Sequence, residues 1–226
     1  MPYIEQDKVD AKTREKLEAI IEKSYKNYWK KKRIFDIVFT TPILLFFLPL
    51  MIIIAIVIVI DDPSAGPFYK QIRVGRHGKE FYMYKFRTMR KNADKIIENL
   101  AAQNEMDGPV FKIKEDPRIT RVGKFLRKLS LDELMQFFNV LKGDMTLVGP
   151  RPPLPREVEH YTDYHKLRLL VTPGITCTWQ IHENRNDVPF EDWVEMDIDY
   201  IQTRTYLNDL KIKLKTPIVM ITATGR

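Results

Sequence analysis

Two adjacent carboxylates, Asp132 and Glu133, sit in the run Ser130-Leu131-Asp132-Glu133. Arg127 precedes them closely, and Arg151 follows in Gly149-Pro150-Arg151-Pro152-Pro153. Acidic residues at a helix start, flanked by arginines, make a site for phosphate chemistry. The free N–H groups and dipole of such a terminus favour anions and keep Asp132 ionised. The same residues carry a plainer reading: Ser130 with Glu133 three positions on has the spacing of a capping box, which needs no chemistry. On these residues alone both readings stand.

The elements around this pair follow from periodicity. Leu134, Phe137, Phe138 and Leu141 recur at helical spacing, so the helix after the carboxylates buries one face. Gly143 ends it as a left-handed C-terminal residue. The prolines that follow make a stiff, extended segment presenting Arg151. Upstream, residues 66–89 alternate in two extended runs about a turn bracketed by Gly75 and Gly78, which predicts a hairpin carrying basic and aromatic side chains. A short amphipathic helix is predicted over 92–103, and further helices over 161–170 and 190–207. Residues 209–215 mix basic and apolar side chains, which suits either an interfacial helix or a core helix with a wet face.

The chain has 226 residues and a formal net charge of +7, so an anionic partner is expected. Its single cysteine, Cys177, excludes an intrachain disulfide and reads as a small buried hydrophobe. Four scattered histidines give no zinc spacing. Residues 1–33 form a polar, helix-prone segment ending in Lys30, Lys31, Lys32 and Arg33. Its aromatic side chains suit a headgroup interface or packing on a domain. Residues 34–60 are almost wholly apolar, with Asp36 as the one charge. A straight helix over them would run about 40 Å against a hydrocarbon core of about 30 Å. Pro49 divides them, and Pro42 is a second candidate bend. Both flanks are basic, which places both ends on the cytoplasmic side and favours a re-entrant hairpin over a span. Residues 61–226 then form one domain.

Read in order, the motifs resemble a known family. They include Lys32-Arg33-Ile34-Phe35-Asp36, Lys85-Phe86-Arg87-Thr88-Met89, Phe111-Lys112, Asp116-Pro117-Arg118-Ile119-Thr120, Leu129-Ser130-Leu131-Asp132-Glu133-Leu134, Val148-Gly149-Pro150-Arg151-Pro152 and Pro173-Gly174-Ile175-Thr176. Together they are similar to the bacterial sugar transferases, the monotopic polyprenyl-phosphate glycosyl-1-phosphate transferases. The resemblance runs from about Lys32 to the C-terminus. Three positions depart from it: Leu48 where serine often precedes the proline, Cys177 where glycine is usual, and Asn184-Arg185-Asn186 where a Gly-Arg pair is expected.

The resemblance implies an α+β, mostly helical monotopic membrane protein. It would have a re-entrant helix hairpin broken near Pro49 and one cytoplasmic catalytic domain with a small β-hairpin. It implies transfer of a sugar-1-phosphate from a UDP-sugar to polyprenyl phosphate, with release of UMP, at the cytoplasmic face of the bacterial inner membrane. Asp132 would be the nucleophile and a Mg2+ ligand, and Glu133 its partner. Arg127, Arg151, Arg118, Lys85 and Arg87 would bind phosphate or substrate, and Lys32, Arg33, Asp36 and Pro49 would form the membrane anchor. No nucleic-acid partner is expected, and a homo-oligomer is compatible with this reading.

Overall fold

The computed structural model describes residues 11–93, 116–182 and 188–222. Most of the helix predicted over 92–103, the Phe111-Lys112 motif and the Asn184-Arg185-Asn186 segment lie outside them.

The first element, α1, spans Ala11–Asp61, 51 residues that include Pro42 and Pro49. The helix passes through both prolines and through the boundary expected at residue 33, so the break expected at Pro49 is no interruption of helical backbone. A proline inside a continuous helix removes one backbone hydrogen bond and kinks the axis. Its partners lie along one stripe: Lys32, Asp36, Thr40 and Leu44 are buried at steps of four, followed by Met51, Ile54 and Ile58. The other faces leave Ile34, Val38, Phe46 and Ile60 more than 60 % exposed. Over Tyr28–Asp61 the helix is long and apolar enough to cross a membrane, and only 22 % of its apolar window is buried. A soluble core helix would be largely covered, so this surface marks membrane association. Further back, Ile21 is buried in the domain core and Trp29 packs against the same cluster, so this segment docks on the domain.

The expected hairpin is present. β1 (Phe68–Val74) pairs antiparallel with β2 (Glu80–Phe86), with Phe68 opposite Phe86 and Val74 opposite Glu80. The turn uses left-handed backbone at His77 and Gly78. Then come α2 (Arg121–Lys128), a single 3-10 stretch over Leu131–Met135, and α3 (Gln136–Lys142). As expected, Gly143 ends α3 at φ 91°, its N–H donating to the Asn139 and Val140 carbonyls.

β3 (Thr146–Val148) pairs in parallel with β4 (Gly174–Thr176). Between them lie α4 (Pro155–Val158), α5 (Asp163–Lys166) and a 3-10 turn over Leu167–Leu170, so the helix expected over 161–170 is two short pieces. Another 3-10 turn covers Trp179–Ile181. The single helix expected over 190–207 stops earlier: α6 is Phe190–Thr203, and α7 runs Tyr206–Thr222 through Pro217.

Three apolar clusters join these pieces. One holds Ile21, Val140, Met145, Val148, Ile201 and Ile212, tying α1, α3, β3, α6 and α7 together. A second, around Trp179, Trp193 and Phe190, also contains Cys177, buried as expected. The third packs Leu44, Met51, Ile54 and Ile58 of α1 on Phe86 and Leu126. Each large apolar side chain so buried contributes about 1.5–3 kcal/mol.

Candidate active site

The carboxylate pair does not begin a capped helix. Ser130 has left-handed backbone at φ 52° and its side chain caps nothing. The capping box expected from the spacing is therefore absent. Instead, the Glu133 carboxylate accepts a hydrogen bond from Lys85 Nζ at 2.9 Å, which fixes the 3-10 turn to β2. That choice follows from register: Lys85 lies on the face of the hairpin that meets this turn. Lys85 also draws the Glu133 carboxyl below the usual range, overcoming burial, with Arg151 and Arg73 adding to the effect.

Asp132 is buried at 6 % exposure. Burial pushes its carboxyl above the usual aspartate range; Lys85 and Arg127 pull the other way, and Glu133 adds repulsion. Burial thus opposes the ionised form that the cations around it favour. The turn is only five residues long, so the dipole it offers the carboxylate is short.

The expected arginines separate into two groups. Arg127 lines the same cavity as Asp132, with Nε donating to Thr88 Oγ1 at 2.9 Å. Burial lowers its pKa, and Asp132 and Asp116 partly restore it. Arg151 also lines the cavity, and among the described residues no side chain holds its guanidinium in an ion pair. Arg118 and Arg87 reach the cavity wall and also hold structural contacts. Arg118 clasps Asp116 with Nε at 2.8 Å and a terminal nitrogen at 2.6 Å, and Arg87 ties the end of β2 to Asp62 at the end of α1. Each is paired with a carboxylate, as Lys85 is with Glu133, and all three line the cavity.

The anchor residues are likewise more than anchors. Lys32 is buried in an ion pair with Asp209 of α7. The guanidinium of Arg33 donates to the Val140 and Leu141 carbonyls at the C-terminal end of α3, where positive charge is favoured. Asp36, fully buried, accepts from the Thr146 hydroxyl and from Leu147 N at 3.4 Å. Lys32, Arg33 and Asp36 thus each find their partners in the domain.

Several positioning residues were missed. Asn139, fully buried in α3, accepts from Tyr84 N at 3.0 Å and donates to the Tyr82 carbonyl at 2.7 Å. It fixes α3 to β2, hence Asp132 to Lys85. A lone asparagine among apolar helix residues was the available signal, since buried amides need partners. Arg73, buried in β1, donates to the Pro152 carbonyl at 2.9 Å. Burial and the neighbouring Arg151 lower its pKa to about 10. It holds the proline segment beside Arg151, a contact 79 residues apart that spacing cannot reveal. Gly149 and Gly174 press together: a Cβ at Gly174 would stand 2.1 Å from Gly149 N. This close approach explains why each of the two proline segments contains a glycine.

These groups share one cavity of about 1180 Å³. Part of its wall carries Asp132, Glu133, Lys85, Arg127 and Arg151; another part carries Phe39, Ile43 and Phe47 of α1 with Leu210, Leu214 and Pro217 of α7. Among the described residues, no cluster of three or more His, Cys, Asp or Glu forms a ready metal cage. The donor set is oxygen only, from two adjacent carboxylates, one already paired with Lys85. That suits a hard cation that binds through one or two carboxylates and takes its remaining ligands from water and substrate phosphate.

Comparison with known proteins accords with this site. The family model described as bacterial sugar transferase matches residues 27–223. The chain is 48 % identical over 163 residues to the galactosyl transferase CpsE of Streptococcus agalactiae, covering 72 % of this chain and 36 % of that protein. It is 45 % identical over 201 residues to the undecaprenyl-phosphate galactose phosphotransferase of Salmonella typhimurium, covering 86 % and 41 %. The chain thus spans about two fifths of these larger relatives. It covers 83 % of the exopolysaccharide production protein ExoY of Rhizobium meliloti, at 39 % identity over 189 residues and 82 % of this chain. The chain belongs to the bacterial sugar transferase family.

Proposed function

We propose that the chain transfers a sugar-1-phosphate from a UDP-sugar to a polyprenyl phosphate, releasing UMP. The observation that carries this is the mixed lining of one cavity: Lys85, Arg127, Arg151 and a buried carboxylate share it with apolar side chains of the membrane-associated α1. A water-soluble phosphate donor and a lipid acceptor need such a combination. The names of relatives that act on undecaprenyl phosphate support the same acceptor, and galactose and glucose are the sugars they name.

In this reading Asp132 attacks the β-phosphorus of the donor. A bond forms between its carboxylate oxygen and phosphorus, the bond from phosphorus to the bridging oxygen breaks, and UMP leaves with that electron pair. The phosphate of the lipid then attacks the same phosphorus. The bond to Asp132 breaks, the carboxylate is regenerated, and a polyprenyl diphosphate sugar is formed. Arg127 and Arg151 neutralise the phosphate oxygens, and Arg73 and Thr88 hold these two in place. Lys85 and Glu133 form the ion pair that keeps the turn against β2. Asp132 would hold Mg2+, which would supply charge neutralisation for the substrate phosphates.

Location follows from α1. With basic residues on both flanks, both ends of the apolar segment stay at the cytoplasmic face of the inner membrane, and α1 re-enters by bending at its prolines rather than by breaking. Mixing the protein with a panel of UDP-sugars and Mg2+, with and without polyprenyl phosphate, tests the reading. Donor alone should yield UMP stoichiometric with enzyme and a phospho-sugar mass on the peptide containing Asp132. Sustained turnover should need the lipid. A phospho-sugar on another residue, or steady hydrolysis without lipid, would refute it.

A further inference from the structure

Lys213 is a cation that the scheme above leaves unused. It lies on α7 and lines the cavity at 19 % side-chain exposure, on the apolar side. Its ammonium sits 5.3 Å from the centre of the Phe39 ring, between the helix that enters the membrane and the helix packed beside it. Among the described residues the acid within ion-pair distance is Asp36, at 4.0 Å and beyond hydrogen-bond reach, while Asp209 acts from farther away and is already paired with Lys32. Both Asp36 oxygens already accept from Thr146 and Leu147. The ammonium therefore keeps hydrogen-bonding capacity for another acceptor, in a half-buried place where an unmatched charge is costly.

We infer that Lys213 is a phosphate-binding residue for the acceptor lipid, seating its phosphate where the apolar wall of the cavity begins. The inference rests on the proposed function and adds a second anion position to it. Lys85, Arg127 and Arg151 serve the donor diphosphate beside the carboxylates. Lys213 serves a phosphate whose tail lies along Phe39, Ile43, Leu210 and Leu214. The electrostatics agree. Burial and the nearby Lys32 lower the Lys213 pKa, with Asp36 and Asp209 opposing, so a phosphate brings the negative charge this position lacks. Thr216, one turn on, is fixed to Thr176 of β4 at 2.9 Å, which holds this part of α7 against the domain.

The test uses the full chain in nanodiscs and compares wild type with Lys213→Met, Lys213→Arg and Lys215→Met. Lys215 is exposed and lies off the cavity, so its variant controls for loss of one positive charge near the membrane. Equilibrium binding of a radiolabelled polyprenyl phosphate should weaken about tenfold in Lys213→Met, the loss of one charge-assisted contact, and recover in Lys213→Arg. Polyprenol without phosphate should bind all variants alike. In turnover, Lys213→Met should raise the KM for the lipid and leave the donor-only UMP burst unchanged. Unchanged lipid binding would overturn the assignment. So would equal weakening towards polyprenol, which marks a structural role, equal weakening in Lys215→Met, which marks general attraction to the membrane, or a reduced donor burst, which places Lys213 on the donor phosphates. Absence of a burst in the wild type would sink the proposed function alone, because the binding comparison does not depend on turnover.

Discussion

Replacing Lys85 by Met tests whether the hairpin sets the charge state of the carboxylate pair. Lys85 Nζ lies 2.9 Å from Glu133, and the two side chains are 20 % and 29 % exposed. Lys85 is the strongest opposing charge for both carboxyls, lowering Glu133 and countering the burial that raises Asp132. An exposed pair contributes about 0.2–1 kcal/mol, and breaking a fully buried one costs about 3–5 kcal/mol. This pair lies between, so about 1–2 kcal/mol is expected, close to one pH unit in the titration of the coupled carboxyls. The sign follows from the direction of the effect. Without the cation, protons bind more tightly, so a carboxylate needed for attack is lost at higher pH. The acidic limb of the pH–rate profile for UMP release should move up by about one unit. Above that limb a further loss of about 10–100-fold is expected, because charge on the transferring phosphate is less well met. The assay is the donor-only UMP burst across pH, with thermal unfolding followed in parallel. A folded variant whose acidic limb stays in place would refute the argument.

Three further outcomes follow. Asp132→Asn should abolish the phospho-sugar adduct yet melt at or above the wild type at neutral pH. A carboxyl whose folded pKa is raised costs stability as pH climbs past the usual aspartate range through that folded value, and the amide removes the cost; a melting temperature well below wild type at neutral pH would contradict this. Gly174→Ala must force β4 away from Gly149, costing about 1–3 kcal/mol and displacing the segment that carries Arg151, so denaturant unfolding and turnover should both suffer; a variant with wild-type stability would disprove the tight approach. EDTA should abolish turnover and added Mg2+ restore it while zinc does not, and full activity in excess chelator would exclude the metal role.

What the sequence disclosed and what it hid divide along a physical line. The hairpin, the end of α3 at Gly143 and the burial of Cys177 were legible because each depends on local backbone preference or side-chain size. The capping box was misread because Ser-x-x-Glu spacing is equally satisfied when Glu133 turns to a lysine 48 residues away. Arg118 and Arg127 look alike as cations near the motif. Only the fold shows that Arg118 is already matched by Asp116, whereas the Arg127 guanidinium lines the cavity beside Asp132. Partner choice among charged side chains is a long-range property, and spacing carries it poorly.

The same reasoning explains the polarity of α1. Along residues 32–40 its domain-facing stripe holds Lys32, Asp36 and Thr40, all buried, while Ile34, Phe35 and Val38 are exposed. A soluble amphipathic helix has the reverse arrangement, apolar inward and charged outward. The inversion is stable only if the outer face meets lipid and every inward ion finds a counter-charge or donor. Lys32 finds Asp209, and Asp36 finds Thr146 and Leu147. Apolar side chains would gain little by leaving lipid for a protein core, so in this stretch the buried polar contacts specify how the helix docks. Those contacts end on β3, α3 and α7, the elements that position Arg151, the carboxylate turn and Lys213. The anchor therefore also sets the register of the site it carries, and that coupling is reason enough for ions at a membrane-facing helix.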